Sequence, residues 1–275
     1  MDALSFLVWP FLACILLVLI HACFGIHIIE RGIIFVDLAL AQFIGIGLAL
    51  SFLLGGDGKT GLALLFAGIG ASILAFSRHV ARHVNIEAFI GVLYVFSLAA
   101  AILILDRTPH GLEEFKAILN GNILWVTPGE VLSTAVLYAT IGLLQGILWR
   151  RFLALSRDRT GGILLELLFF GSFAAVLVKS VQIAGVLQVF AFLLLPALIG
   201  RLFFREPLKI LLTAWLTGIV FTTAGLALSY SFDIPTAPVI VALLALAFFA
   251  GLAIKMAREG CARRREVPSP PAFKS

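Results

Sequence analysis

Residues 30–53 read ERGIIFVDLALAQFIGIGLALSFL, a charged pair followed by an apolar run long enough to cross a bilayer as a helix. Asp37 and Gln42 stand inside this run among apolar and small neighbours. An ionisable group at membrane depth is costly unless it faces protein or water, so it marks either a pathway or a packed polar contact. We interpret this helix as one wall of a permeation path.

The composition of the whole chain extends the membrane interpretation to the rest of the protein. Of 275 residues, 61% are hydrophobic and only 13% are charged, and the mean hydropathy is +1.12. Apolar runs of about 17 to 25 residues recur from end to end, which is the length that a spanning helix needs. The sequence therefore predicts an all-α fold, a polytopic transmembrane helical bundle over residues 1–254, followed by a basic, disordered cytoplasmic tail over residues 255–275.

The sequence contains neither a glycine-rich phosphate loop nor a catalytic serine motif. We therefore expect no enzyme activity and no cofactor on this chain. Any domain that consumes energy is expected to lie on another polypeptide.

The apolar segments predict nine spanning helices, or eight if the first segment does not cross. The run over residues 161–200 is about twice one membrane thickness, so it is predicted to hold two helices with a turn at Lys179, Ser180 and Gln182. Residues 106–130 are too polar to cross and are predicted to form a short helix or a re-entrant piece. The predicted spans are residues 4–29, 33–54, 61–77, 88–105, 131–149, the two halves of 161–200, 210–230 and 235–254.

The basic residues test this topology, because alternate loops must lie on opposite sides. One side collects 16 of the 20 Lys and Arg residues, as the positive-inside rule predicts for a protein of the cytoplasmic (inner) membrane with its N-terminus outside and its C-terminus in the cytoplasm. The charge is spread over short loops beside apolar helices, so we predict contact with membrane lipid and no binding of nucleic acid. The basic side holds Arg31, Arg78, Arg82, Arg150, Arg151, Arg157, Arg159, Arg201, Arg205, Lys209 and six residues of the tail.

Several segments, in this order, resemble a known family. The resemblance extends from about residue 25 to residue 254, and it is to the permease subunit of the ATP-binding cassette transporters for zinc, manganese and iron. It implies a homodimer of permeases, cytoplasmic ATPase subunits that bind ATP, and an extracytoplasmic metal-binding protein that delivers the ion. The segments are residues 31–53, IEAFIG at 86–91, FKAILNGNILWVTPGEVL at 115–132, VFAFLLLPALIGRLFFREP at 189–207 and FDIPTAPVIVALL at 232–244.

The resemblance also implies residues on the substrate pathway. In the family's second span, an Asp is followed four residues later by a His; aligned through Gly47, the His position holds Gln42 and the Asp position holds Leu38. Asp37 stands one place earlier, which is a rotation of about 100 degrees on a helix. An amide is a weak zinc ligand beside imidazole or carboxylate. We assign Asp37, Gln42 and, in the seventh span, Gln188 to the pathway.

The family places a helix that couples to the ATPase between the fifth and sixth spans. Here residues 151–162, RFLALSRDRTGG, form a shorter basic loop. Coupling is predicted to use this loop, or to shift partly onto residues 201–209. The residues assigned to coupling are Arg157, Asp158, Arg159, Arg205 and Glu206.

Two groups of polar residues allow alternative interpretations. His110, Glu113 and Glu114 could contact a metal ion at the outer mouth, although an exposed HGLEE segment is also typical of a solvated helix start. His21 and His27 are six residues apart, so they project in different directions and are interpreted as core or interfacial residues.

Two function classes follow from the sequence. The first is a permease that moves a divalent metal ion and is driven by a separate ATPase. The second is a membrane-embedded partner subunit or an ATP-independent secondary carrier that has lost the family's metal site.

Overall fold

A computed structural model describes residues 3–55, 59–80, 83–108, 110–121, 123–157 and 162–265. Over these residues the regular elements are helical, as the hydropathy pattern predicts. The helices are α1 (Ala3–Arg31), α2 (Val36–Leu53), α3 (Lys59–Val80), α4 (Ile86–Leu105), α5 (Gly111–Asn120), a 3-10 turn (Ile123–Trp125), α6 (Pro128–Arg157), α7 (Ile163–Phe203), α8 (Pro207–Phe232) and α9 (Thr236–Arg265).

Local sequence signals set several helix ends. Asn85 caps α4, since its side chain accepts hydrogen bonds from the backbone N–H groups of Glu87 (2.9 Å) and Ala88 (3.2 Å). At the start of α6, the Thr127 hydroxyl accepts from the Glu130 N–H while the Glu130 carboxylate accepts from the Thr127 N–H at 2.8 Å. This reciprocal pair is a capping box.

Ion pairs show that α7 folds back on itself. Glu166, near its start, lies 2.7 Å from Arg31, and Arg201, near its end, lies 3.0 Å from Glu30. A straight helix of 41 residues would be about 60 Å long, so its two ends could not reach neighbouring residues of α1. We call the end of the bundle that holds Arg31, Arg157 and Arg201 the basic end.

The turn in α7 lies at Gly185, which has φ 75° and ψ 165°, so the predicted turn at Lys179, Ser180 and Gln182 is wrong. Those three residues belong to the first half of the helix, where the Ser180 hydroxyl donates to the Val176 carbonyl at 2.7 Å. The backbone at Gly185 needs a positive φ that only glycine adopts without strain. We call the halves α7a (163–184) and α7b (186–203).

A second glycine allows the tip of this hairpin to pack. Gly121, which follows α5 and also has positive φ, contacts the backbone of Gly185. A Cβ on either glycine would collide with the backbone of the other segment. The tip therefore lies against the polar segment between α4 and α6, at the end of the bundle away from the basic end.

The hairpin decides the number of spanning segments. Eight described helices are long and apolar enough to span a membrane, and α7 crosses twice, so the described part of the chain makes nine passes. The start of α1 and the end of α9 thus lie at opposite ends of the bundle. Helix α9 continues to Arg265, because Ala, Met, Lys, Arg and Glu in this stretch all favour helix.

The interior is built from α1, α2 and α7. These helices are buried on most sides, whereas α4, α6 and α9 expose apolar faces. The largest fully buried side chains include Phe24, Phe152, Phe169, Phe173 and Phe192. The exposed apolar faces suit contact with lipid or with another membrane-spanning chain.

Candidate permeation path and coupling surface

Asp37 lies in the first turn of α2 and is buried, with 1% of its surface exposed. Neither of its carboxylate oxygens has a hydrogen-bond partner among the described residues. The N-terminus of a helix favours a nearby negative charge, and this favourable position offsets part of the cost of burying the carboxylate. Asp37 is therefore buried among the helices of this chain and does not lie on the outer surface of the bundle.

Leu38, the next residue, points in another direction. It lines a groove of about 800 Å³ on the outside of the bundle between α2 and α4. The rotation of about 100 degrees between consecutive helical residues therefore separates a buried acid from an open groove. The other residues that line the groove are Phe35, Ala88, Gly91, Val92, Tyr94, Val95 and Phe96.

Gln42 is four residues after Leu38 and so lies on the same side of α2. It is 5% exposed. Asp37 and Gln42, by contrast, are five residues apart and project about 140 degrees from each other. The structure therefore places Gln42 with Leu38, and it separates Gln42 from Asp37.

Gln188 is buried in α7b, where its amide nitrogen donates to the Cys14 sulfur of α1 at 3.7 Å. Its amide oxygen has no partner in the described part of the chain. Among the described residues, no hydrogen bond joins Gln188 to Asp37 or Gln42. The three predicted pathway residues are therefore not joined to one another by hydrogen bonds in the described part of the chain.

Metal-binding side chains are also scattered elsewhere. Within the described ranges, no group of three or more His, Cys, Asp or Glu residues is close enough to hold a metal ion. His21 and His27 are fully buried, with their Nδ1 atoms 2.8 Å from the Leu17 carbonyl and 3.2 Å from the Ser156 hydroxyl. Each histidine also packs edge-on against aromatic rings, as core residues do.

The predicted outer-mouth residues lie at the end away from the basic end. His110 and Glu113 form an exposed pair with 3.5 Å between His110 Nδ1 and a Glu113 carboxylate oxygen. Glu114 belongs to α5, but its side chain lies outside the described part. The pair is exposed, whereas Asp37, Gln42 and Gln188 are buried.

The predicted coupling residues surround the basic end. Arg157 ends α6 and pairs with Glu30 at 3.0 Å, Glu206 pairs with Lys209 at 2.8 Å, and Arg205 is exposed. Asp158 and Arg159 lie outside the described residues.

Sequence reasoning missed the partners of these basic residues. Glu30, Arg31 and Glu166 all take part in ion pairs at the basic end, and the Arg31 guanidinium also lies 4.2 Å from the centroid of the Phe169 ring. One signal could have found them: Glu166 is an acidic residue inside an apolar run, where an unpaired charge would be costly.

Comparison with known proteins agrees with the fold and with the sequence resemblance. The profile of the ABC 3 transport family matches residues 3–255. A probable metal transport system membrane protein of Chlamydia trachomatis is 26% identical over 246 residues, which cover 84% of this chain and 83% of that protein. An uncharacterized membrane protein of Synechocystis is 30% identical over 176 residues, which cover 62% of this chain and 63% of that protein.

A solved structure has the same fold. The chain in PsaBC from Streptococcus pneumoniae in complex with Fab superposes with a TM-score of 0.72 over 90% of each chain, at 24% identity. The family match spans the whole bundle, including the α7 hairpin and the groove beside α2. The chain belongs to the ABC 3 transport family, and the part of it that the structure describes is a multi-pass bundle of membrane-spanning helices.

Proposed function

We propose that this chain is the permease subunit of an ATP-binding cassette transporter that moves a divalent metal ion, zinc, manganese or iron, across the cytoplasmic membrane. A separate ATPase subunit powers it. The observation that carries this proposal is the family match over residues 3–255, which covers the complete nine-pass bundle.

The path is proposed to run along the groove between α2 and α4. This groove carries Leu38 at the family's Asp position and lies on the same side of α2 as Gln42. It is open on the protomer, so a second copy of the chain packed on this face would close it into a channel. A homodimer is therefore part of the proposal.

The ion is held weakly in this path. Leu38 supplies no ligand, and an amide oxygen at Gln42 donates less charge to a divalent cation than carboxylate or imidazole does. Weak holding suits a permease, because the ion must leave the path after it enters.

The orientation of the bundle in the membrane decides which end the ATPase binds and which end the metal-binding protein binds. The positive-inside rule puts the basic end in the cytoplasm, so the ATPase docks around residues 157–162 and 201–209. The extracytoplasmic metal-binding protein docks at the other end, where His110, Glu113 and Glu114 could receive the ion. ATP is bound by the ATPase subunit and not by this chain.

The test is reconstitution of the permease in proteoliposomes with and without a candidate ATPase subunit from the same organism, followed by uptake of radiolabelled zinc, manganese and iron. ATP-dependent uptake that needs both subunits is expected. Accumulation by the permease alone would favour the secondary-carrier alternative, and failure of the two proteins to associate would favour a different role as a membrane partner subunit.

A further inference from the structure

The last turn of α1 makes ion pairs with three other helix ends. Arg31 pairs with Glu166 at the start of α7a, with 2.7 Å between Nη1 and Oε2. Glu30 pairs with Arg157 at the end of α6 and with Arg201 at the end of α7b, each at 3.0 Å. We call these five residues the basic-end clasp.

Glu30 is the branch point of the clasp, because it uses one carboxylate oxygen for each arginine: Oε1 for Arg157 and Oε2 for Arg201. Arg157 stands immediately before the connection from α6 to α7, and Arg201 stands just before the connection from α7 to α8. These are the two segments that the proposed function assigns to contact with the ATPase. One side chain therefore joins both of them.

The surroundings of Glu30 strengthen these pairs. Its side chain is 23% exposed, against 44% for each arginine, so solvent reaches the carboxylate less than it reaches a fully exposed ion pair. Apolar residues line the small pocket around the three charges. They are Ile26, Ile29, Leu153, Ala197, Pro207 and Ile210.

A short connection joins the clasp to α2, the helix that carries Leu38 and Gln42. Residues 32–35 join α1 to α2, beginning at Gly32 with φ 66°, and the Phe35 N–H donates to the Glu87 carboxylate of α4 at 3.1 Å. Helices α2 and α4 are the two walls of the groove. The end of α1 is thus connected to both walls of the groove, to α2 through four residues and to α4 through the Phe35–Glu87 hydrogen bond.

We propose that Glu30 mechanically joins the two cytoplasmic connections, so that a displacement of either one by the ATPase is transmitted through the end of α1 to α2 and α4. This inference rests on the proposed function. Glu30 acts as a positioning residue, since it contacts neither the ion nor the nucleotide.

The first test needs only the permease. Spin labels at Arg151 of α6 and Phe204 beyond α7b, both exposed, report the distance between the two connections in nanodiscs, in a background without native cysteines. Glu30→Gln is expected to widen the distance distribution about twofold, because the neutral amide weakens both ion pairs that hold Arg157 and Arg201 to one side chain. The matched control is Glu259→Gln, an exposed carboxylate near the end of α9, which should leave the width unchanged. Equal widths in Glu30→Gln and wild type would overturn the proposal.

The second test uses the assembled permease–ATPase complex. Glu30→Gln is expected to lower metal uptake per ATP hydrolysed by about three- to tenfold, with little change in hydrolysis itself. Combining it with Arg157→Gln or Arg201→Gln should add little, because all three act through one junction. Parallel loss of hydrolysis, uptake and thermal stability would indicate a merely structural role and would overturn the proposal. If wild type shows no ATP-driven uptake, the proposed function fails, while the spin-label result still decides whether Glu30 joins the two connections.

Discussion

Gly185→Ala is expected to destabilise the folded protein strongly, because the turn of the α7 hairpin depends on two properties of this glycine. Its φ of 75° and ψ of 165° lie in a region that is essentially restricted to glycine, and forcing another residue there costs about 1 to 3 kcal/mol. An added Cβ would also meet the backbone of Asn120 and Gly121, and such overpacking costs a further 1 to 3 kcal/mol or so. The expected total is about 2 to 6 kcal/mol.

The assay is thermal unfolding of the purified protein in detergent. Unfolding is measured as the loss, with rising temperature, of the fraction of protein that stays monodisperse. The matched control is Gly171→Ala in the same helix, because Gly171 is exposed and a Cβ there would meet open space. Alanine at that position should be neutral or stabilising by up to about 1 kcal/mol. If both variants unfold at the same temperature, the reasoning about the turn is refuted.

The partner glycine offers an internal check. Gly121→Ala should also destabilise, since Gly121 has φ 61° and its Cβ would meet the backbone of Ala184 and Gly185. The double variant should lose less stability than the sum of the two single variants, because one contact is broken in both cases. Full additivity would mean that the two positions do not share that contact.

Three further predictions follow from the site. Gln42→His together with Leu38→Asp should raise the free energy of zinc binding by more than the sum of the two single changes, because the two positions lie on one side of α2. Calorimetric titration of the four proteins in nanodiscs measures this, and additive or absent effects would mean that the two positions do not face a common cavity. Glu166→Ala should lower stability more than Glu206→Ala does, because Glu166 pairs with the largely buried Arg31 guanidinium, whereas the Glu206 pair is exposed and should be worth at most about 1 kcal/mol. Similar shifts in unfolding temperature for the two variants would contradict this. The purified chain alone should hydrolyse no ATP, and measurable phosphate release from a preparation free of ATPase subunits would show that the assignment of the nucleotide site to another chain is wrong.

Much of the architecture could be predicted from local properties of the sequence. Segment lengths and hydropathy predict spanning helices because the bilayer thickness sets the length that an apolar helix needs. The alternation of basic loops predicts which helix ends lie together, and the structure brings Arg31, Arg157 and Arg201 to one end. The rotation between Asp37 and Leu38 is also a local property, because consecutive residues on any helix differ by about 100 degrees.

The pathway assignments show where local reasoning stops. Sequence order and spacing place Asp37, Gln42 and Gln188 in spanning helices, but the direction in which each side chain points depends on the neighbouring helices. In the structure, Asp37 is buried inside the protomer, while Leu38 faces the groove. Whether an acid lines a path or lies in the core is therefore a property of the packed bundle.

From its sequence alone, this chain is an all-helical membrane protein with an ordered series of apolar spans and one basic side, since hydropathy and charge act over a single helix. Tertiary structure decided the turn of α7, because the polar residues Lys179, Ser180 and Gln182 stay helical and the chain reverses instead at Gly185, where it can meet Gly121. It also decided the basic-end clasp, in which Glu30 and Arg157 are 127 residues apart in the sequence. Such ion pairs form only when distant helices pack against each other. The reason is that an unpaired charge is costly to bury, so each buried charge must lie beside an opposite one in the packed bundle.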